Sequence, residues 1–365
     1  MQEIATDTLQ LWLEEGRPVC VLDIRAPGDR EQWSIPGSLH VNAYDRLKAG
    51  SADALAGVDL PADRPVVTIC NAGKVSQAAA EQLRQRGLDA YPLAGGMKSW
   101  SLAWNTAELP IGGASVLQVR RTGKGCLSYL VGSGTDAAVI DASLDPTVYL
   151  RLAEQYGWSI CYVLDTHIHA DHLSRSRALA EAAGAKLLLP AQNRARFPFW
   201  PIQDEQVIEF GGARIQAIST PGHTMESMCY DLNSTALFTG DTLFLSGVGR
   251  PDLKASLDEA AARARVLYRS LCRLRQLPSA TIVFPGHTAQ PVEFDHKPIC
   301  GELGQISACI ASWLDSEEDF VRTILGRIPP TPPNFTQIVE WNEAGAMPGG
   351  DPTDLEAGAN RCAVS

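Results

Sequence analysis

Three histidines and one aspartate stand within six residues in Thr166-His167-Ile168-His169-Ala170-Asp171-His172, in a chain with only seven histidines. Neutral imidazole and carboxylate are the usual donors to zinc and non-haem iron, and a polar turn has no need of so dense a cluster. The cluster directly follows the apolar run Ile160-Cys161-Tyr162-Val163-Leu164. Three further segments share that setting. Arg214 to Ser219 alternates like a strand and runs into Thr220-Pro221-Gly222-His223. Thr235 to Phe238 ends in Thr239-Gly240-Asp241, and Thr281 to Phe284 ends in Pro285-Gly286-His287. Every candidate ligand thus sits where a strand-like run stops, so one sheet edge can gather ligands that are distant in sequence. Gly222, Gly240 and Gly286 would let the backbone bend sharply there.

A second chemistry is readable at Cys70. It closes the buried-type strand Pro65 to Cys70, and Asn71, Ala72, Gly73, Lys74, Val75 and Ser76 lead into a helix expected over Val75 to Arg86. Backbone N–H groups and the positive helix end would face the sulfur, favouring a thiolate and any anion bound to it. Such a cradle suits a cysteine that carries sulfur as a persulfide. The plainer reading is a small buried hydrophobe. A phosphate-using cysteine would want an arginine to clamp its substrate, and the six positions after Cys70 hold none. Cys20, Cys126, Cys161, Cys229, Cys272, Cys300, Cys309 and Cys362 lack such a loop and read as structural.

The elements that position these groups divide the chain in two. Val19 to Ile24, Pro65 to Cys70 and the helical stretch alternate as in a small α/β domain. A capping box, Ser256-Leu257-Asp258-Glu259, opens a long helix expected to reach about Leu277. The tail from Ile328 is rich in Pro and Gly and reads as a strap on the second unit. A length of 365 residues suits two domains, and the net charge of -11 excludes a general nucleic-acid or anionic-membrane binder. No apolar run approaches the roughly 20 residues of a bilayer span, so no membrane is expected. Nine scattered cysteines without CxxC pairs suit a reducing, cytoplasmic setting. Whether the chain forms a homo-oligomer is left open.

Residues 1–105 resemble the rhodanese family of sulfurtransferases. The resemblance rests on Val21-Leu22-Asp23-Ile24-Arg25, Ser34-Ile35-Pro36-Gly37-Ser38, the loop from Cys70 to Ser76, and Leu93-Ala94-Gly95-Gly96-Met97 followed by Trp100. It implies that Cys70 is the sulfur-accepting nucleophile and that Asn71 to Ser76 form its cradle. The loop lacks the arginines of some thiosulfate-using members, which leaves the sulfur donor open.

Residues 115 to about 300 resemble the metallo-β-lactamase superfamily, on His167, His169, Asp171, His172, His223, Asp241 and His287. In glyoxalase II and related hydrolases the full set holds two metals, so counting ligands does not choose between one metal and two, or between zinc and iron. The cluster's flanks, Gly240-Asp241-Thr242-Leu243-Phe244 and Gly247-Val248-Gly249-Arg250-Pro251-Asp252, are similar to the persulfide dioxygenase branch. That similarity implies one Fe(II) per chain on His167, His223 and Asp241. His169, Asp171, His172 and His287 then support the ligands or hold a second metal, and Arg250 binds a glutathione carboxylate. Two departures are Leu173-Ser174-Arg175-Ser176, without the glycine expected after the cluster, and Leu253, where the dioxygenases carry phenylalanine. Phe197-Pro198-Phe199-Trp200-Pro201 reads as a packed loop, with a pocket wall as the other reading.

The expected architecture is therefore an α/β two-domain chain. A small rhodanese-like parallel-sheet domain (1–105) is followed by a linker (106–114) and an αββα metallo-β-lactamase sandwich (115–300). C-terminal helices and an extended tail (301–365) pack on that sandwich. The expected function is a persulfide dioxygenase, turning glutathione persulfide, O2 and water into sulfite and glutathione. It would be coupled to a sulfurtransferase interconverting persulfide, sulfite and thiosulfate. The alternatives are a Zn(II)-dependent thioester hydrolase of glyoxalase II type and a non-catalytic sulfur-carrier or persulfide-sensing module.

Overall fold

The computed structural model describes residues 2–358 and 360–364. In the N-terminal domain four parallel strands lie in the order Leu39–His40, Cys20–Asp23, Val66–Ile69 and Ala90–Pro92. Both central strands are buried on both faces, which is why they read as continuous apolar runs. Leu22 and Val66 pack with Ala79 and Leu83 of the helix Lys74–Gln85. Val21, Val67 and Ile69 face the opposite way, toward Leu9, Trp33 and Trp100.

The second domain faces two sheets against each other. The first runs Trp200–Ile202, Lys186–Pro190, Ser159–Leu164, Asp136–Ile140, Leu127–Ser133, Ala114–Arg120, Asn105–Ile111. The second runs Val207–Phe210, Ala213–Ser219, Met228–Leu232, Ala236–Gly240, Ile282–Pro285, Gly301–Glu302. Val116, Tyr129, Val131 and Ile140 of one sheet meet Ile215, Tyr230, Phe238 and Phe284 of the other in the central core. Helices Pro146–Tyr156 and Ser176–Ala183 cover the outer face of the first sheet. Helix Leu257–Leu274 covers the second, giving four layers, α, β, β, α. Its N-terminus carries the expected capping box, Ser256 N donating to Glu259 Oε2 at 2.7 Å and Glu259 N to Ser256 Oγ at 3.3 Å.

Residues 106–114 are not a linker. Asn105–Ile111 pairs antiparallel with Ala114–Arg120, joined by the two-residue turn Gly112-Gly113 with φ of 59° and 83°. Two positive φ values are what a tight hairpin demands, and Pro110 is tolerated because this strand lies at the sheet edge. The domains therefore abut without a spacer. Trp33 Nε1 donates to Thr122 O at 2.9 Å, and Lys98 pairs with Asp351 and Asp354 at 3.1 and 2.5 Å.

The tail is more than an extended strap. It forms the helices Phe335–Ala344 and Thr353–Glu356, and a last strand, Ala363–Val364, that pairs with Val248–Gly249. Among the described residues no helix is long and apolar enough to cross a membrane.

Candidate active site

The histidine cluster begins two residues beyond the end of the strand Ser159–Leu164, in a turn fixed by Asp141. Thr166 N donates to Asp141 Oδ1 at 2.7 Å, and Thr166 Oγ1 lies 2.9 Å from His167 Nδ1. Those contacts aim His167 Nε2 at a point shared with two other elements. His223 Nδ1 lies 2.8 Å from Arg250 O, a carbonyl that can only accept, so Nδ1 carries the proton and Nε2 is left with its lone pair. Asp241 Oδ1 meets His287 Nδ1 at 2.6 Å, which leaves Oδ2 free. That oxygen is 3.8 Å from His167 Nε2 and 3.5 Å from His223 Nε2. All three residues are buried, and neither His167 Nε2 nor Asp241 Oδ2 has a hydrogen-bond partner. Buried polar atoms without partners are costly unless a ligand satisfies them. A divalent cation fits this set of two imidazoles and one carboxylate.

The electrostatics agree with ligation. Burial, then the neighbouring His169, pushes His167 well below its ordinary value, toward the neutral form that coordinates. Burial alone would raise the Asp241 carboxyl, but the charge and hydrogen bond of His287, with His167 and His223, hold it below the usual carboxylate range. Two glycines make room for the convergence. A Cβ on Gly240, where φ is 48°, would stand 2.4 Å from Thr166 Oγ1, and one on Gly286 would stand 2.7 Å from Asp241 Oδ1.

The remaining histidines separate from this triad. His169 turns toward Asp141, at 3.2 Å, and Asp165, at 4.0 Å. Asp171, His172 and His287 gather on the other side, with His287 Nε2 2.7 Å from Asp171 Oδ2 and His172 Nδ1 3.1 Å from Asp171 Oδ1. Cys126, expected to be merely structural, joins them, its thiol donating to Asp171 Oδ2 at 3.3 Å.

Several residues that support the site carry no local sequence signal. Asn342, on the helix Phe335–Ala344, donates to His169 O and His172 O at 2.9 and 2.8 Å. Glu356 accepts from Leu173 N at 2.7 Å and pairs with Arg175 and Arg121 at 2.6 and 3.1 Å.

Two cavities flank the triad. One, of about 330 Å3, is bordered by His167 and His169 and otherwise mostly by apolar side chains, including Phe197, Trp341 and Met347. Phe197 thus belongs to a pocket wall. The other, of about 260 Å3, is bordered by His223, Leu253, Lys254, Arg263 and Phe335. Ile168 and Glu226 line both.

Arg250 does not fit the substrate-binding role expected of it. It is 0 % exposed, with Nε and Nη2 both 2.7 Å from the Asp252 carboxylate and Nη1 donating to Pro330 O and Arg361 O. A guanidinium so enclosed clamps the tail and has no donor face left for a ligand.

In the first domain, Cys70 lies at the base of its loop, 1 % exposed. Ser76 N donates to Sγ at 3.4 Å, and the thiol donates to Ser76 Oγ at 3.5 Å. The motif around Gly95 and Gly96 seals the loop from behind. Met97 N and Lys98 N donate to Cys70 O and Asn71 O, each at 2.9 Å, and a Cβ on Gly96 would stand 2.2 Å from Cys70 O. Asn71 and Ala72 open into a cavity of about 330 Å3 at the domain seam, shared with Lys98, Gly123 and Asp354. Lys74 is exposed on the first turn of the helix.

Comparison with known proteins matches residues 5–103 to the rhodanese-like domain and residues 121–287 to the metallo-beta-lactamase superfamily. A hydroxyacylglutathione hydrolase of Rhodospirillum rubrum is 40% identical over 156 residues, 41% of this chain and 56% of that protein. One of Maricaulis maris is 36% identical over 155 residues, 42% of this chain and 57% of that protein. This chain therefore spans little more than half the length of these relatives. Among solved structures, ETHE1 from Myxococcus xanthus is 27% identical with a TM-score of 0.56, covering 64% of this chain and 99% of that one.

The names of the sequence relatives overturn the expectation of a persulfide dioxygenase, since both are hydroxyacylglutathione hydrolases. The ligand types could not decide the matter, because two imidazoles and a carboxylate serve hydrolytic and oxygen chemistry alike. The expectation leaned on flanking residues, and Arg250, the one given a substrate role, is sealed inside the protein. Taken together, the fold, the gathered ligands and the matched families establish a chain that joins a rhodanese-like domain to a metal-binding domain of the metallo-beta-lactamase superfamily.

Proposed function

We propose that the second domain hydrolyses the thioester of an acylated glutathione, with its catalytic metal on His167, His223 and Asp241. The observation that carries this reading is the meeting of three ligand atoms on buried residues, two of the atoms unpartnered, between two cavities, of which the one beside His223 also carries Lys254 and Arg263. The names of the curated relatives supply the substrate class. When bound, a divalent cation there supplies a Lewis acid and lowers the pKa of a coordinated water to near neutrality. Zinc and iron(II) both suit the ligand set, and hydrolysis needs no redox change from either.

The chain's own residues account for the rest. Arg250 O and Thr166 Oγ1 hold the two imidazoles in register, and His287 fixes the rotamer of Asp241 through Oδ1. The mostly apolar cavity beside His167 takes the acyl group. The cavity beside His223 takes glutathione, whose carboxylates meet Lys254 and Arg263. Among the described residues neither cation makes an ion pair, and Arg263 spends only one bond, from Nη1 to Leu253 O at 2.9 Å. Arg194, by contrast, is neutralised by Glu226 and Glu343 at 2.9 and 3.0 Å.

Release of free thiol from a 2-hydroxyacylglutathione thioester tests the reading on metal-loaded protein. The expected result is turnover that is lost in His223→Ala. Metal-replete wild-type protein that releases no thiol above background would refute it.

For the first domain we propose that Cys70 carries sulfur. Its thiolate attacks a donor's sulfane sulfur, forming one S–S bond as the donor's S–S bond breaks and the donor's remaining group leaves. The sulfur at the base of a helix-capped loop supports this reading. Mass spectrometry after incubation with a persulfide donor should show one added sulfur on wild type and none at this position in Cys70→Ser.

A further inference from the structure

The cavity beside the Cys70 loop lies where the parallel strands of the first domain end. Arg25 and Asp29 follow Cys20–Asp23, Asn71 and Ala72 follow Val66–Ile69, and Lys98 follows Ala90–Pro92. Ligands of open parallel sheets bind at such carboxyl ends. Part of the wall, however, comes from the tail of the second domain, through Thr353 and Asp354. The mouth of the Cys70 site is thus built from both ends of the chain.

Two cations border this cavity, and neither is free. Arg25 is 4 % exposed and gives Nε and Nη2 to the Asp23 carboxylate at 3.0 and 2.8 Å. The Lys98 ammonium is shared by two tail carboxylates, 3.1 Å from Asp351 and 2.5 Å from Asp354. Two carboxylates against one ammonium leave a net negative charge. Asp29 adds to it, since among the described residues its carboxylate makes no ion pair and takes one hydrogen bond, from Asn71 Nδ2 at 2.8 Å.

An exposed ion pair is ordinarily weak, because two long side chains must be ordered to form it. Here the tail holds the carboxylates in place beforehand. Asp351 accepts from Thr353 N and Oγ1 at 3.0 and 2.6 Å, at the start of the helix Thr353–Glu356. The last residue of that helix, Glu356, is buried against Arg121 and Arg175. One short helix therefore anchors itself under the metal loop and sets the charge at the mouth of the other domain's site.

We propose that Asp351 and Asp354, with Asp29, determine which sulfur donor reaches Cys70. By neutralising Lys98 they exclude a dianionic donor such as thiosulfate. They favour a small persulfide that carries an ammonium near its sulfur, as cysteine persulfide does. The Cys70 thiolate attacks the outer sulfur of that donor, which keeps its proton. The new S–S bond forms as the donor's S–S bond breaks, and the electron pair leaves with the donor's thiolate. This inference rests on the reading of Cys70 as a sulfur carrier.

The test follows sulfur loading of Cys70 in the full-length protein by mass spectrometry, with freshly prepared cysteine persulfide and with thiosulfate at equal concentration. Wild type should load faster from cysteine persulfide. In the double variant Asp351→Asn, Asp354→Asn, the ratio of the two rates should fall about tenfold, as thiosulfate meets a freed Lys98. That gain should shrink at high salt and disappear when Lys98→Ala is added. An unchanged ratio in the double variant, or faster loading of wild type from thiosulfate, would overturn the proposal while leaving Cys70 a carrier. No added sulfur on wild-type Cys70 from either donor would remove the carrier reading and this inference with it. The wild-type preference can be measured even if a variant fails to fold.

Discussion

Replacing Glu356 by Gln removes one negative charge from a fully buried cluster and changes little else. The carboxylate receives Arg121 at 3.1 Å, Arg175 at 2.6 Å and Leu173 N at 2.7 Å, and Leu173 directly follows the histidine cluster. Burial would raise its pKa, but Arg121 and Arg175 outweigh that and bring it from 4.5 to about 2. Because the folded value is depressed, the stabilisation is fully present above the unfolded value and is lost as pH falls from about 4.5 toward 2. At about 1.4 kcal/mol per tenfold change in proton affinity, the displacement amounts to roughly 3 kcal/mol at neutral pH. An independent guide, the cost of removing one partner from a buried ion pair, is about 3–5 kcal/mol. Denaturant titration of wild type and Glu356→Gln should therefore show a loss of about 3 kcal/mol near neutrality. That difference should narrow by about 1 kcal/mol between about pH 6 and about pH 3.5, as the unfolded wild-type carboxyl takes up its proton. A loss below about 1 kcal/mol, or one that does not change with pH, would refute the view that this carboxylate pins the tail to the metal loop.

Two further changes probe the separate sites. Gly96→Ala should destabilise the first domain by about 2 kcal/mol or more, because its φ is +58° and the added Cβ would meet Cys70 O at 2.2 Å. Thermal unfolding would measure it, and a wild-type melting temperature would show that the loop does not need this close approach. Lys254→Ala combined with Arg263→Ala should raise KM for a glutathione thioester by about tenfold while leaving kcat within about threefold, as expected for lost binding away from the reacting bond. A fall in kcat at unchanged KM would place these cations elsewhere in the reaction.

What the sequence determined by itself is what local rules encode. Strand Val66–Ile69 and helix Lys74–Gln85 follow from an apolar run and a four-residue repeat, and the start of Leu257–Leu274 follows from its capping box. The ligand-bearing segments were legible because four apolar runs each end in a metal-donor residue, a pattern within a few residues of chain. Tertiary structure decided what depends on partners far along the chain. Gly112 and Gly113 read as a linker until Ala114–Arg120 paired with Asn105–Ile111. Arg250 read as a substrate ligand because its charge is visible and its enclosure by Asp252, Pro330 and Arg361 is not. Cys126 read as inert because the bridge that sets it opposite His287 joins residues at opposite ends of the domain. Composition and periodicity report which groups a chain owns. Burial and long-range pairing decide which of those groups meet, and so which of them water can no longer satisfy.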